Sequence, residues 1–272
     1  MDKFFDLNGK VAVVTGATGI LCSEMARELA RRGAKVAVMG LEDDLTKQIA
    51  DEINSGGGTA IGVVCNVLEK DSLTNARDAV LEAFGSIDIL INGAGGNNKK
   101  ATTSKDLSFF DIPADALQFV FNLNILGTFL STQVCGEVMT KQGSGSIINI
   151  SSMNAYRPLT NIVAYSAAKA GINNFTQWMA VHFNQNYSPN IRVNAIAPGF
   201  FLTNQNRFLL VDEKTGEHTP RAKQILGHTP MDRYGDPADL LGTIVFLASE
   251  ASAFVNGVVI PIDGGFSAYS GV

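Results

Sequence analysis

"KVAVVTGATGILC", residues 10–22, carries a short apolar, β-branched run straight into two glycines set three residues apart. The run reads as a buried strand, and the glycines read as a tight turn into a helix. Such a turn leaves backbone N–H groups free to approach an anion and aims the positive end of the next helix at it. Gly16, Thr18, Gly19 and Ile20 are therefore candidate phosphate contacts. A glycine turn of this kind also occurs without a ligand, and the usual three-glycine fingerprint is not met, because Leu21 and Cys22 stand where a third glycine would allow close helix packing.

Working outward, six further runs share the character of the first: "KVAVM" (35–39), "TAIGVV" (59–64), "IDILIN" (87–92), "SIINIS" (146–151), "IRVNAI" (191–196) and "VVIPI" (258–262). Near-continuous apolar runs are what parallel strands buried on both faces require. Between them lie stretches such as "SEMARELARRG" (23–33) and "DSLTNARDAVLEAFG" (71–85), with apolar residues at helical spacing and a glycine stop. The alternation predicts an α/β fold of one domain over 1–272, a doubly wound, mostly parallel seven-stranded sheet with helices on both faces. Ligands of such sheets bind outside the carboxyl ends of the strands. The long irregular stretch at about 200–235 is a candidate lid over that edge.

Composition narrows the partners. The chain has 272 residues, 46% hydrophobic and 17% charged, as expected of a globular protein. Its net charge of -5 and pI near 5.2 argue against nucleic acid, which leaves a basic footprint, whereas the one dense basic cluster is Lys99-Lys100. "MDKFFDLNGK" lacks the apolar core of a secretory signal, and no later run reads as a membrane span, so a cytoplasmic protein is expected. Cys22, Cys65 and Cys135 are odd in number and widely spaced, which predicts buried free thiols and no metal site.

Chemistry enters with "AYSAAKAG" (164–171). A separation of four puts Tyr165 and Lys169 side by side on one helix face. The pair belongs to an ordered series: the glycine turn, "NGAG" (92–95), Asn124 in "NLNILG", "INISS" (148–152), "YSAAK" (165–169) and "NAIAPG" (194–199). This series resembles the short-chain dehydrogenase/reductase family along the whole chain. The resemblance implies an NAD(P)-binding Rossmann fold, a homodimer or homotetramer, and an active site of Asn124, Ser152, Tyr165 and Lys169. Ser152 is preferred to Ser151 because the family's serine precedes the tyrosine by thirteen residues. A tyrosine base needs its pKa of ~10 depressed, and the expected causes are the Lys169 ammonium and, in the oxidised complex, the positive nicotinamide. The family also assigns Lys169 to the nicotinamide ribose, Ser152 to the reacting oxygen, and Asn124 to a proton-relaying water. The helices near 111–140 and 162–184 are expected to pair across a two-fold axis.

By the same resemblance the cofactor lies against Leu41, Asn66, Val67, Asn92, Ala94, Gly95, Pro198, Gly199 and Thr203 as well. The glycine turn is one residue shorter than the family's, and Asn66 replaces a frequent aspartate. Nucleotide choice turns on the end of the second strand, "VAVMGLEDD" (36–44), which offers no arginine for a 2′-phosphate and has acids at 42–44. NAD is expected, with NADP open.

Loops at the binding edge are rich in amides and cations, which suits a hydroxylated, anionic substrate. Asn97, Ser152, Asn154 and Asn204 are candidate hydroxyl contacts, and Arg157 and Arg207 are candidate carboxylate forks. "GGNNKKAT", "FFLTNQNRFLL", "HTPMDRYGDPADLLG" and "DGGFSAYSGV" resemble the mannonate oxidoreductase (fructuronate reductase) branch of the family, which implies D-mannonate/D-fructuronate as the substrate pair. Gluconate 5-dehydrogenase-like activity on a similar sugar acid is the nearest alternative, followed by ketoacyl-carrier or steroid reduction. A dinucleotide-sensing protein without turnover is the alternative of another class. Asp263, Gly264 and Gly265 read as a structural turn and a subunit contact.

Overall fold

Both faces of the first strand are apolar because both are covered. In this computed structural model, which describes residues 3–202, 210–212 and 215–271, β1 (Val11–Thr15) turns Val11 and Val13 toward one core and Ala12 and Val14 toward another. The remaining strands are β2 (Lys35–Gly40), β3 (Thr59–Val64), β4 (Ile89–Asn92), β5 (Gly145–Ile150), β6 (Ile191–Pro198) and β7 (Val259–Ile262). They form one seven-stranded sheet in the order β3-β2-β1-β4-β5-β6-β7, and every pairing is parallel. Each expected strand is present, with boundaries shifted by no more than two residues.

One face carries α1 (Ile20–Arg31), α2 (Asp43–Ser55) and α8 (Ala238–Ala248), whose Met25, Leu29, Ile49, Leu240 and Ile244 join Val14, Val36 and Ile91. The other carries α3 (Lys70–Phe84), α5 (Gly127–Gln142) and α6 (Val163–Asn186), through Leu73, Val80, Met139, Ala180 and Phe183. Complete burial of a Val or Ile side chain is worth about 1.5–3 kcal/mol before the entropy of ordering is charged, so these two layers fix the register of the sheet. Cys22, Cys65 and Cys135 are free and buried, and burial pushes their thiols up to about 12, about 11 and about 12.

Between β4 and α5 the chain forms α4 (Ala114–Phe121) and a π-helical turn, Asn122–Leu126, that runs into α5 without a break. Ala114–Gln142 is thus long and apolar enough to cross a membrane by length and composition alone. Half of its apolar window is buried, and it packs on α3, β4 and β5, as a core helix does. After β6, Leu210, Ala222 and Ile225, the last two from α7 (Pro220–Gly227), form a small core with Phe200, Leu202 and Tyr234.

Order reverses between β1 and β4, and there the loops after the two strands touch. Gly16 has φ +65°, and a Cβ on it would lie 2.8 Å from the backbone of Ala94. Thr15 Oγ1 accepts from Gly93 N at 3.1 Å and Ala94 N at 3.3 Å, clamping the two loops. The crevice of a doubly wound sheet opens at this switch point.

Candidate active site

Tyr165 and Lys169 stand on the first turns of α6, above the end of β5. The π turn sets Asn124 opposite them. Its Nδ2 donates to Val120 O at 2.8 Å and to Gly96 O at 2.7 Å, and its Oδ1 accepts from Gly96 N at 3.2 Å. A side chain that takes over a backbone carbonyl of its own helix goes with a widened turn, a feature frequent at functional sites. Gly95 forms the floor between the two elements. A Cβ there would lie 2.8 Å from Asn124 Oδ1 and 3.3 Å from Lys169 Nζ.

Ser152 is extended backbone at the end of β5, its Oγ accepts from Asn154 N at 3.3 Å, and it is the group that acts to lower the Tyr165 phenol. Ser151 instead turns into α6, toward Lys169 O and Asn173. Asn124, Ser152, Tyr165 and Lys169 are therefore brought together by three elements.

Without the nicotinamide, burial dominates the electrostatics of the pair. Burial pushes the Tyr165 phenol above its ordinary value, and the bond to Ser152 only partly opposes that. Lys169 is pushed down to about 8 by burial, with Cys22 acting the other way. Its Nζ donates to Ile150 O at 2.7 Å and lies 5.5 Å from the Tyr165 ring centroid. In the chain alone, burial therefore outweighs what would lower the phenol.

At the glycine turn, Gly19 caps α1 with no side-chain hydrogen bond, so the amides of Ile20 and its neighbours face the crevice uncapped by a side chain. Thr18 packs on Gly40, where a Cβ would meet Thr18 Cγ2 at 2.7 Å, and Leu41 beyond it is 68% exposed. Gly199 lies against Asp263, and Pro198 ends β6. These residues rim one crevice and leave it free of side chains where a dinucleotide phosphate must approach, so a nicotinamide dinucleotide fits the residues present.

Two candidates turn elsewhere. Asn66 caps the approach to α3, with Nδ2 donating to Glu69 and Oδ1 accepting from Leu68 N, while Val67 is buried against Gly127. Asn92 is buried, its Nδ2 donating to Thr132 and Asn149, which ties β4 to α5 and β5.

Among the substrate candidates, Asn97 donates to Thr102. Asn154 is buried and lines a cavity of about 550 Å³ with Thr103, Phe109 and Ser166. Its Oδ1 and Ser166 Oγ have no partner among the described residues. Arg157 is exposed, and its Nε donates to Ser267 O at 3.2 Å. Thr203, Asn204 and Arg207 lie outside the described residues. No group of three or more His, Cys, Asp or Glu is placed to hold a metal among the described residues.

Sequence reasoning missed Gly93 and Thr15. A Cβ at Gly93 would lie 2.3 Å from Cys22 Sγ, so the bulk at the third-glycine position is accommodated by a glycine across the crevice. The signal was the unusual pair itself, Cys22 with "NGAG".

A family model described as enoyl-(acyl carrier protein) reductase matches residues 16–267. Uncharacterized oxidoreductase UxuB of Bacillus subtilis (strain 168) is 50% identical over 276 aligned positions, covering 98% of each chain. The 2-dehydro-3-deoxy-D-gluconate 5-dehydrogenase of Escherichia coli (strain K12) is 35% identical over 272 positions, with 97% of this chain and 98% of that one covered. A candidate D-mannonate oxidoreductase from Haemophilus influenzae, crystallised with bound NAD, superposes with a TM-score of 0.92 at 50% identity over 98% of both chains.

Proposed function

The chain belongs to the short-chain dehydrogenase/reductase family and is an NAD(P)-dependent oxidoreductase, and from that premise we propose that it transfers a hydride between NAD(H) and a sugar acid, D-mannonate/D-fructuronate. The observation that carries the reading is the convergence of Tyr165, Ser152, Lys169 and Asn124 around the side-chain-free floor at Gly95.

When bound, the nicotinamide takes or supplies the hydride and, oxidised, brings a positive charge beside the phenol. Tyr165 takes the proton of the C5 hydroxyl during oxidation and returns it during reduction. Ser152, at the end of β5 with its Oγ accepting from Asn154 N, donates its hydroxyl to the reacting oxygen and keeps it in reach of Tyr165. Lys169, bonded to Ile150 O and beside Tyr165, is placed to pass the proton onward, and Asn124 fixes the loop at Gly96 on the opposite side.

Preference for NAD is supported at the end of β2. Thr18 fills the space beside Gly40, Asp43 and Asp44 begin α2, and the one basic residue of α2, Lys47, is bonded to Asp43 at 2.6 Å. A 2′-phosphate there would meet acids with no free fork.

Two sugar-acid oxidoreductases among the relatives and the amides at the binding edge support the substrate class. Asn97 and Asn154 serve its hydroxyls, with Asn204 and the fork of Arg207, outside the described residues, completing the set. Both relatives are named for action on sugar acids. A 5-dehydrogenase acting on a gluconate-like acid is the second reading. Steady-state kinetics with fructuronate and 5-ketogluconate under NADH and NADPH tests all of this. Turnover of fructuronate with NADH at the highest kcat/KM is expected. Turnover of neither acid would remove the sugar-acid assignment, and a strong preference for NADPH would remove the cofactor choice.

A further inference from the structure

Three segments distant in sequence meet at the chain's C-terminal end. Because β6 and β7 are parallel neighbours, the stretch after Ile262 emerges at the same carboxyl edge as Gly199 and Ser152. Asp263 turns it at once: its carboxylate accepts from Gly265 N at 3.0 Å and Ser267 N at 2.9 Å. Gly264 and Gly265 adopt φ +64° and +85°, and a Cβ on Gly264 would meet Thr229 Cγ2 at 2.8 Å. The tail is thereby folded back over residues 228–231, where Met231 N donates to Gly264 O at 3.1 Å.

Its side chains then engage both neighbours. Phe266 packs edge-on against Phe200 at 5.2 Å, directly beyond β6, and against His228 at 4.8 Å, directly beyond α7. Tyr269 covers His228 at 5.0 Å. From the other side comes the segment that follows Ser152. Tyr156 donates its hydroxyl to Val259 O at 3.1 Å, and Arg157 donates Nε to Ser267 O at 3.2 Å. Two consecutive side chains of the Ser152–Tyr165 connection are thus spent on the C-terminal segment.

We propose that the tail, residues 266–271, is a wall of the substrate cleft and that Arg157 and His228 are positioning residues for it, Arg157 gripping it from the Ser152 side and His228 from the side of α7. The inference concerns the same site as the proposed function but needs only the oxidoreductase class, not the sugar acid. It replaces the reading of Arg157 as a carboxylate ligand. A backbone carbonyl already accepts from its guanidinium, and the arginine restrains the chain whatever charge the substrate carries.

The test uses full-length Arg157→Ala, His228→Ala, Tyr269→Ala and the double variant Arg157→Ala/Tyr269→Ala. KM, kcat and the NADH Kd are measured with one acidic and one uncharged substrate taken from those the enzyme turns over. Each single variant should raise KM about tenfold for both substrates, the scale of one lost hydrogen bond or ring contact, with the NADH Kd unchanged. The double variant should be no worse than the larger single one, because both release the same tail. Tyr269→Phe keeps the ring, so it should retain the parent KM and report on the tail even if an alanine variant fails to fold. Loss confined to the acidic substrate in Arg157→Ala would return that residue to carboxylate binding and overturn the proposal. So would unchanged KM in all variants, or fully additive effects. If no sugar acid is turned over, the same comparison between other charged and uncharged ketones decides the tail's role separately from the substrate's identity.

Discussion

Tyr165 faces a conflict between its surroundings and the ionisation that oxidation asks of it. Burial raises the phenol, so below its pKa the chain alone holds it as an acid, ready for reduction. The sign follows directly. Oxidation needs the proton gone, so oxidative kcat/KM should climb with pH, whereas the reductive value should stay level from about pH 6 to about pH 8. A pH profile in both directions checks this, and an oxidative rate that falls across that interval would refute it. Tyr165→Phe should lower turnover by at least about a thousandfold while the NADH Kd shifts less than about threefold; fluorescence titration and stopped-flow absorbance measure the two. Lys169 shows the opposite cost. Its folded pKa of about 8 lies below its ordinary 10.5, so under about pH 8 the buried ammonium is charged and destabilising. That penalty fades as pH rises toward 10.5, because only the unfolded chain then keeps the proton. Lys169→Met should therefore melt no lower than the parent at neutral pH while losing turnover, and its relative gain should shrink at alkaline pH. A drop of several degrees in Tm would contradict it. Spacing made these residues legible: four between Tyr165 and Lys169, thirteen between Ser152 and Tyr165. It could not show that Asn66 and Asn92 donate to neighbouring side chains or that Arg157 Nε donates to Ser267 O, since a free side chain and a bonded one read alike in sequence.

At the scale of elements, the strands were legible because burial on both faces leaves unbroken apolar runs, and the structure moves their ends by two residues at most. The π turn was not. A helix that widens for five residues keeps the composition of its flanks, and the cause, Asn124 taking Val120 O and reaching across to Gly96, is a contact between residues that no local pattern records. Asn124→Ala would leave the Val120 carbonyl short of a donor in a buried setting and the Gly96 carbonyl in a part-buried one, a loss of roughly 1–3 kcal/mol. For a chain of this size, Tm should fall about 2–4 °C per kcal/mol. The loop at Gly95–Gly96 would lose its anchor as well, so NADH should bind more weakly along with the lower Tm. Calorimetry with and without NADH separates the two effects. An Asn124→Ala variant with parent stability and parent NADH affinity would show that the turn does not depend on this side chain. The same reasoning explains the shortened glycine turn, whose meaning appears only when Cys22 is seen against Gly93.

Across the whole molecule, the surface formed by α4, the π turn, α5 and α6 is more apolar than a solvated face needs to be. Phe119, Phe121, Leu126, Phe129, Val163, Trp178 and Val181 are all exposed there, Trp178 to 57%. Phe175 is buried and stacked on Phe129 at 3.9 Å, so it packs in the core beneath this face. Exposed apolar patches of this extent mark contact surfaces, and the helices that bear this one also carry Asn124, Tyr165 and Lys169. We therefore expect two copies to pair here across a two-fold axis, each α6 against the other copy's α5 and α6, as a homodimer or as half of a homotetramer. Pairing would stiffen the backbone beneath the reacting groups from outside, and dilution should then lower specific activity together with mass. Trp178→Glu places a charge on the most exposed of these residues. It should weaken association at least about a hundredfold, as loss of a buried aromatic anchor does. Light scattering at micromolar concentration should give a dimer or tetramer for the parent and a monomer for the variant, with lower activity in the monomer. A monomeric parent would remove the assembly, and a monomeric variant with full activity would keep the assembly but detach it from catalysis.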